Sequence, residues 1–218
     1  MMDAAREPLP SLPVSFYLAH PWHGIAPGDG VPERITVYVE MVPTDTVKYE
    51  VDKLSGHMRL DRPQKYSALC PAPYGFIPRT LCAERVAGLA AVRAGRQKVV
   101  GDGDPIDVCV LTERPITHGG ILVSARTIGG LRMFDGSEAD DKILAVLEGD
   151  PAYGAFRDVS DCPASLVERL RHYFLTYKDI PDATTPRTCE IAAVYGAARA
   201  HEVVRASIAD YVAGFPAE

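Results

Sequence analysis

The residues best equipped for chemistry stand together in Gly101-Asp102-Gly103-Asp104-Pro105-Ile106-Asp107, at the entrance to an apolar run. Three carboxylates within six residues repel one another unless a positive charge sits between them. The glycines let the backbone bend closely and the proline stiffens it, so the acids can converge on a hard cation. Oxygen-only donors select Mg²⁺, Mn²⁺ or Ca²⁺ over zinc or copper. A solvated acidic turn is the plainer alternative. An EF-hand calcium loop is a nearer competitor, because Glu113 is the twelfth residue counted from Asp102. It fails because Ile106 holds a ligand position, Asp107 stands where glycine is required, and strands flank the run.

A second acidic group, Asp135, Glu138, Asp140 and Asp141, is followed by Lys142. Alone it reads as a wet loop between strands. If the two groups converge, two or more metal ions can sit a few ångströms apart, an arrangement used for phosphoryl hydrolysis. Lys48 (beside Glu50), Arg62, Lys142 and Lys178 can neutralise an anionic substrate, and Tyr74 and Tyr177 can donate phenolic hydrogen bonds to phosphate oxygens. Individually these are unremarkable, and Tyr177 also fits the core stripe of a helix.

The elements that must position these groups are mainly strands. Ile35, Val37, Val39 and Met41 alternate with Thr36, Tyr38 and Glu40, and a turn at Pro43-Thr44-Asp45 follows. Val47, Tyr49 and Val51 then alternate with Lys48 and Glu50, which therefore share a strand face. Leu54-Ser55-Gly56 turns the chain into a short strand ending at Asp61-Arg62-Pro63, so this part reads as an antiparallel meander. Further strands are expected at 106–112, 121–127, 130–134, 142–147 and 189–195. Many short strands with tight turns suggest a barrel rather than an open parallel sheet. One helix is expected after Asp161 as cap, with Leu166, Leu170, Tyr173, Phe174 and Tyr177 on its stripe; another runs from about Ala198, with His201, Val204, Ile208 and Tyr211 aligned. Residues 1–33 read as an irregular arm holding the only tryptophan, Trp22, and 81–100 as a surface insertion.

The 218 residues suit a single domain, 1–218, with ordinary globular composition. With 23 basic against 29 acidic residues and no basic run, the net charge of −6 disfavours nucleic acid and anionic membranes as partners. Five scattered cysteines without a C-x-x-C pair argue against a zinc knuckle and a disulfide framework. There is no secretory signal pattern and no apolar run of the ~18 residues needed to span a bilayer, so a cytoplasmic setting is expected.

From about Ile35 to Lys178 the chain resembles the soluble family I inorganic pyrophosphatases. The resemblance rests on ordered motifs: Glu40; Lys48-Tyr49-Glu50; Asp61-Arg62; Pro73-Tyr74-Gly75-Phe76-Ile77-Pro78; Asp102-Gly103-Asp104-Pro105-Ile106-Asp107-Val108; Asp135; Asp140 with Lys142; and Tyr177-Lys178-Asp179. It implies an α+β, mainly β fold: a distorted five-stranded OB-like β-barrel with helices packed outside. It implies hydrolysis of pyrophosphate to two orthophosphates with several Mg²⁺ per site, Mn²⁺ as a substitute and Ca²⁺ as an inhibitor. Asp102, Asp107 and Asp140 would share one metal, and Asp135 with Asp140 would serve another. Glu40 and Glu50 would line the same cavity, while Lys48, Arg62, Tyr74, Lys142, Tyr177 and Lys178 would hold phosphate. Asp104 would be the general base. A homo-oligomer is implied, hexameric in many bacterial members. Three departures stand out: Cys70 where a site phenol is usual, Gly136 where an acid usually follows Asp135, and the long connection 81–100. The rival readings are a phosphohydrolase acting on nucleotides or phosphate esters, and an OB-type module for single-stranded nucleic acid. Neither a nucleotide loop nor a basic aromatic groove supports them.

Overall fold

A computed structural model describes residues 18–178 and 188–216; the first seventeen residues of the arm, and Asp179, lie outside them. Strand β1 (Arg34–Met41) turns Ile35, Val37, Val39 and Met41 inward, each at most 2% exposed, as their alternation requires. It pairs antiparallel with β4 (Tyr74–Phe76) on one side and with β7 (Ile121–Asp135) on the other. β4 pairs with β6 (Asp107–Leu111), β6 runs parallel to β9 (Lys142–Leu147), and β9 returns antiparallel to β7. The order β1–β4–β6–β9–β7–β1 closes on itself, giving a mainly β structure around a five-stranded barrel. A Cβ on Gly75 would lie 1.8 Å from the Tyr38 carbonyl oxygen, so only glycine lets β4 approach β1 here.

Several expectations need correction. β2 (Val47–Val51) and β3 (Met58–Pro63) form a separate two-stranded sheet, so β1 is not part of a meander with them. Residues 121–127 and 130–134 are not two strands but one, β7. Gly129 and Gly130 do not turn the chain; they make room for Tyr195 of β10 (Cys189–Gly196), whose ring would be 2.4 Å from a Cβ on Gly130. Short β5 (Val100–Gly101) pairs with β8 (Glu138–Ala139), tying the aspartate loop to the second acidic segment.

Three helices pack outside. The stretch expected as a surface insertion contains α1 (Glu84–Ala94), which buries Val86, Ala87 and Ala90; Val86 and Ala90 join the core cluster of β1 and β6. In α2 (Ala164–Thr176) the cap position is Pro163, and Asp161 instead closes a capping box with Asp158 in the preceding 3₁₀ turn. α3 (Ala197–Gly214) buries Ala200, Val203, Val204, Ser207 and Asp210, so of the expected stripe only Val204 points fully inward. No helix among the described residues is long and apolar enough to cross a membrane.

Candidate active site

Strand direction explains why distant residues meet at one mouth of the barrel. β6 and β9 are parallel and begin together, with Asp107 and Lys142 as Cα partners, while antiparallel β7 delivers Asp135 to the same end. The loop leading into β6 is held against Cys82: the Gly103 amide donates to the Cys82 carbonyl and the Cys82 amide to the Asp104 carbonyl, at 3.0 and 2.8 Å. Gly103 takes a left-handed φ of 77°, and the Asp104 amide donates to Asp102 Oδ1 at 2.9 Å. Asp102 and Asp104 are thereby fixed at the cavity wall.

The β2–β3 hairpin covers the mouth and contributes Lys48, Glu50 and Arg62. Lys48 Nζ lies 2.9 Å from Glu50 and 3.2 Å from Asp61, and Arg62 also bonds Asp61. The end of α2 brings Tyr177 and Lys178, the latter paired with Asp135. Two adjoining cavities share Lys48, Tyr74, Asp104 and Asp107 as walls. One adds Arg62, Asp102, Asp135, Asp140, Lys142, Tyr177 and Lys178; the other adds Glu40 and Glu50. Every residue assigned a role in the site borders this space; Asp141 of the second acidic group does not, being buried against Arg132 at 3.0 Å and bonded by the Tyr195 hydroxyl at 2.8 Å.

Lys142 Nζ stands between Asp107, at 2.5 Å, and Asp140. Burial works against its charge, but the two carboxylates win and hold its pKa well above the usual lysine value. The acids show the reverse. Burial, with the Asp140 and Asp107 carboxylates adding to it, pushes Asp102 up to about 8. Glu40 is also raised to about 8, chiefly by burial, although the Val51 amide donates to it at 2.7 Å. Asp140 is raised, again chiefly by burial. Asp135 is also partly buried, yet the hydrogen bond from Lys178 leaves its carboxyl below the ordinary range. For Glu40 and Asp102 exclusion of water is therefore the main reason the proton is retained near neutrality.

That donor set fits hard divalent ions: several carboxylates, with no thiol or imidazole lining the cavities. Among the described residues no three such side chains form a ready chelate, because Lys142 occupies the space between Asp107 and Asp140. The departures from the family pattern have local explanations. Cys70 is buried and does not line the cavity, whereas the Tyr173 phenol of α2 does, bonded by Gln64 at 3.3 Å. Gly136 takes a φ of 61° in the β7–β8 turn, and Glu138 supplies an acid to the wall two residues later. Lys53 escaped the sequence reading altogether: it lies in a turn, off the face shared by Lys48 and Glu50, yet it pairs with Asp104.

A family model for inorganic pyrophosphatase matches residues 37–212. A curated inorganic pyrophosphatase of Chlamydia muridarum is 46% identical over 197 residues, covering 89% of this chain and 94% of its own. The soluble inorganic pyrophosphatase of Oryza sativa subsp. indica is 39% identical over 170 residues, 78% and 71% of the two chains. The crystal structure of inorganic pyrophosphatase from Thermus thermophilus superposes with a TM-score of 0.73 at 31% identity, covering 88% of this chain and 99% of that one. The type I enzyme of Toxoplasma gondii gives 0.75 at 27% identity, with 92% and 90% covered. With the barrel, the acidic mouth and these matches in agreement, the chain belongs to the inorganic pyrophosphatase family.

Proposed function

We propose that this chain hydrolyses pyrophosphate to two orthophosphates with Mg²⁺, using Asp104 as general base. The observation that supports this reading is the convergence, at one barrel mouth, of the two acidic segments with Lys48, Arg62, Lys142 and Lys178. Asp102, Asp107 and Asp140 would hold one ion, and Asp135 with Asp140 a second. Bound there, the ions would supply Lewis-acid charge and make water easier to deprotonate. Lys48, Arg62, Lys142 and Lys178 draw the two phosphates in and share their charge, while the Tyr74 and Tyr177 hydroxyls orient oxygens. Glu40 and Glu50 shape the acidic wall. Asp104, on the boundary between the two cavities, takes the proton from the attacking water as its oxygen adds to one phosphorus in line, the bridging P–O bond opposite breaks, and the second orthophosphate departs with its charge met by the surrounding cations. Fixed positions and charge neutralisation supply most of the acceleration.

The same proposal includes Mn²⁺ as substitute, Ca²⁺ as inhibitor, a cytoplasmic setting in keeping with five free, buried thiols, and a homo-oligomer readable by sedimentation. Phosphate release from pyrophosphate with and without Mg²⁺, against ATP as control, tests the reaction. Comparable ATP turnover would favour a broader phosphohydrolase. Asp104→Asn should lower kcat at least ~100-fold with the fold intact; unchanged turnover removes Asp104 from the role.

A further inference from the structure

Lys53 lies in the turn after β2, and that turn is unusually well held. Ser55 donates through its amide and its hydroxyl to Asp52 Oδ1 at 2.8 and 2.7 Å, and the Gly56 amide closes on the Asp52 carbonyl at 2.8 Å. The arm seats the turn from outside. His20 Nε2 is 3.2 Å from the Lys53 carbonyl oxygen, and a Cβ on Gly56 would come within 2.9 Å of the His20 ring. Trp22, in the same segment, is anchored by its indole to the Thr80 carbonyl at 2.8 Å and shares a cavity wall with Lys53 and Asp104. The Lys53 backbone is thus fixed, while its side chain, 55% exposed, crosses the opening to Asp104.

The pairing is selective. Lys142 bonds Asp107 and Asp140 from the cavity floor, and Lys178 bonds Asp135; Asp104 alone of these acids is met from the hairpin above. We propose that Lys53 is a positioning residue, holding the Asp104 carboxylate at the cavity wall so that it remains a proton acceptor instead of turning inward onto the divalent ions. The inference rests on Asp104 being the base.

Electrostatics gives it an unusual signature. Removing the ammonium takes one positive charge from beside an acidic cluster and frees a carboxylate, so divalent ions bind more tightly. It also loosens the base, so turnover slows. A residue needed only for folding would weaken both.

The experiment uses the full chain with Lys53→Met, Lys53→Arg, Asp104→Asn and the Lys53→Met/Asp104→Asn pair. Mg²⁺ binding is measured by calorimetry without substrate, and kcat and KM for pyrophosphate at saturating Mg²⁺. Lys53→Met should bind Mg²⁺ several-fold more tightly, lose about 10-fold or more in kcat as expected for a misplaced catalytic group, and keep its KM. Lys53→Arg should recover most of kcat, and the double variant should be no slower than Asp104→Asn. Weaker Mg²⁺ binding together with slower turnover, or losses that add in the double variant, overturns the proposal. Normal kcat in Lys53→Met with a slow Asp104→Asn overturns it while sparing the base; an unimpaired Asp104→Asn removes the base itself.

Discussion

Lys142 shows how a single buried ammonium can hold two carboxylates together. It is buried, and among the described residues no other cation pairs with Asp107 or Asp140. Replacing it with methionine leaves two carboxylates crowded in a poorly hydrated place, and breaking such a buried pair costs ~3 kcal/mol. Lys142→Met should therefore melt earlier in EDTA, with Mg²⁺ restoring much of the loss. Equal melting of the variant and the parent in EDTA would show that the ammonium does not hold the acids together. Lys48 and Glu50 were placed on one face by strand alternation, and their 2.9 Å contact agrees. Lys53 followed no period. Its importance depends on which loop the hairpin turn happens to touch, and that is not written in the turn.

Among the elements, α1 was the hardest to anticipate, and its N-terminus shows why. Ala83 at the cap position offers no side-chain acceptor. The amides of Ala83, Arg85 and Val86 instead donate at 3.1 Å to Asp210, a buried residue of α3, which also pairs with the Arg85 guanidinium. One carboxylate thus serves donors that a local cap would satisfy, and it faces the positive end of the helix dipole. Asp210→Ala should cost about 2 kcal/mol, the upper range for a lost cap, and lower Tm while leaving kcat at permissive temperature intact. A Tm unchanged by that substitution would mean α1 needs no cap from α3. The same long reach misled the reading of β7, where two glycines signal a turn locally but serve Tyr195 from β10.

At the scale of the molecule, the acidic mouth ties stability to pH and metal. In the metal-free chain Glu40 and Asp102 hold protons up to about pH 8, whereas unfolded carboxyls release them near 4. The folded state therefore binds more protons throughout that window, and its stability falls as pH rises. His23 and His201, whose pKa values burial lowers, oppose this only below about 6.5. Tm in EDTA should consequently drop between pH 6.5 and 8. Excess Mg²⁺ should flatten or reverse the slope, since ions need the ionised acids and bind better as pH rises. A Tm in EDTA that climbed across this interval would contradict the assignment.

Much of this site could be read from the chain because its chemistry is local. The spacing of Asp102, Asp104 and Asp107 among glycines and a proline announces a carboxylate loop, although Cys82 holds it in place, and period-two alternation orients Lys48, Glu50 and the inward face of β1. The barrel's closure, the reach of Lys53 to Asp104, the partnership of Asp210 with α1 and the raised proton affinity of Glu40 were not legible in that way. Each depends on groups many residues apart and on how much water their meeting excludes. Pattern along a strand says which way a side chain points; only packing decides what it meets there.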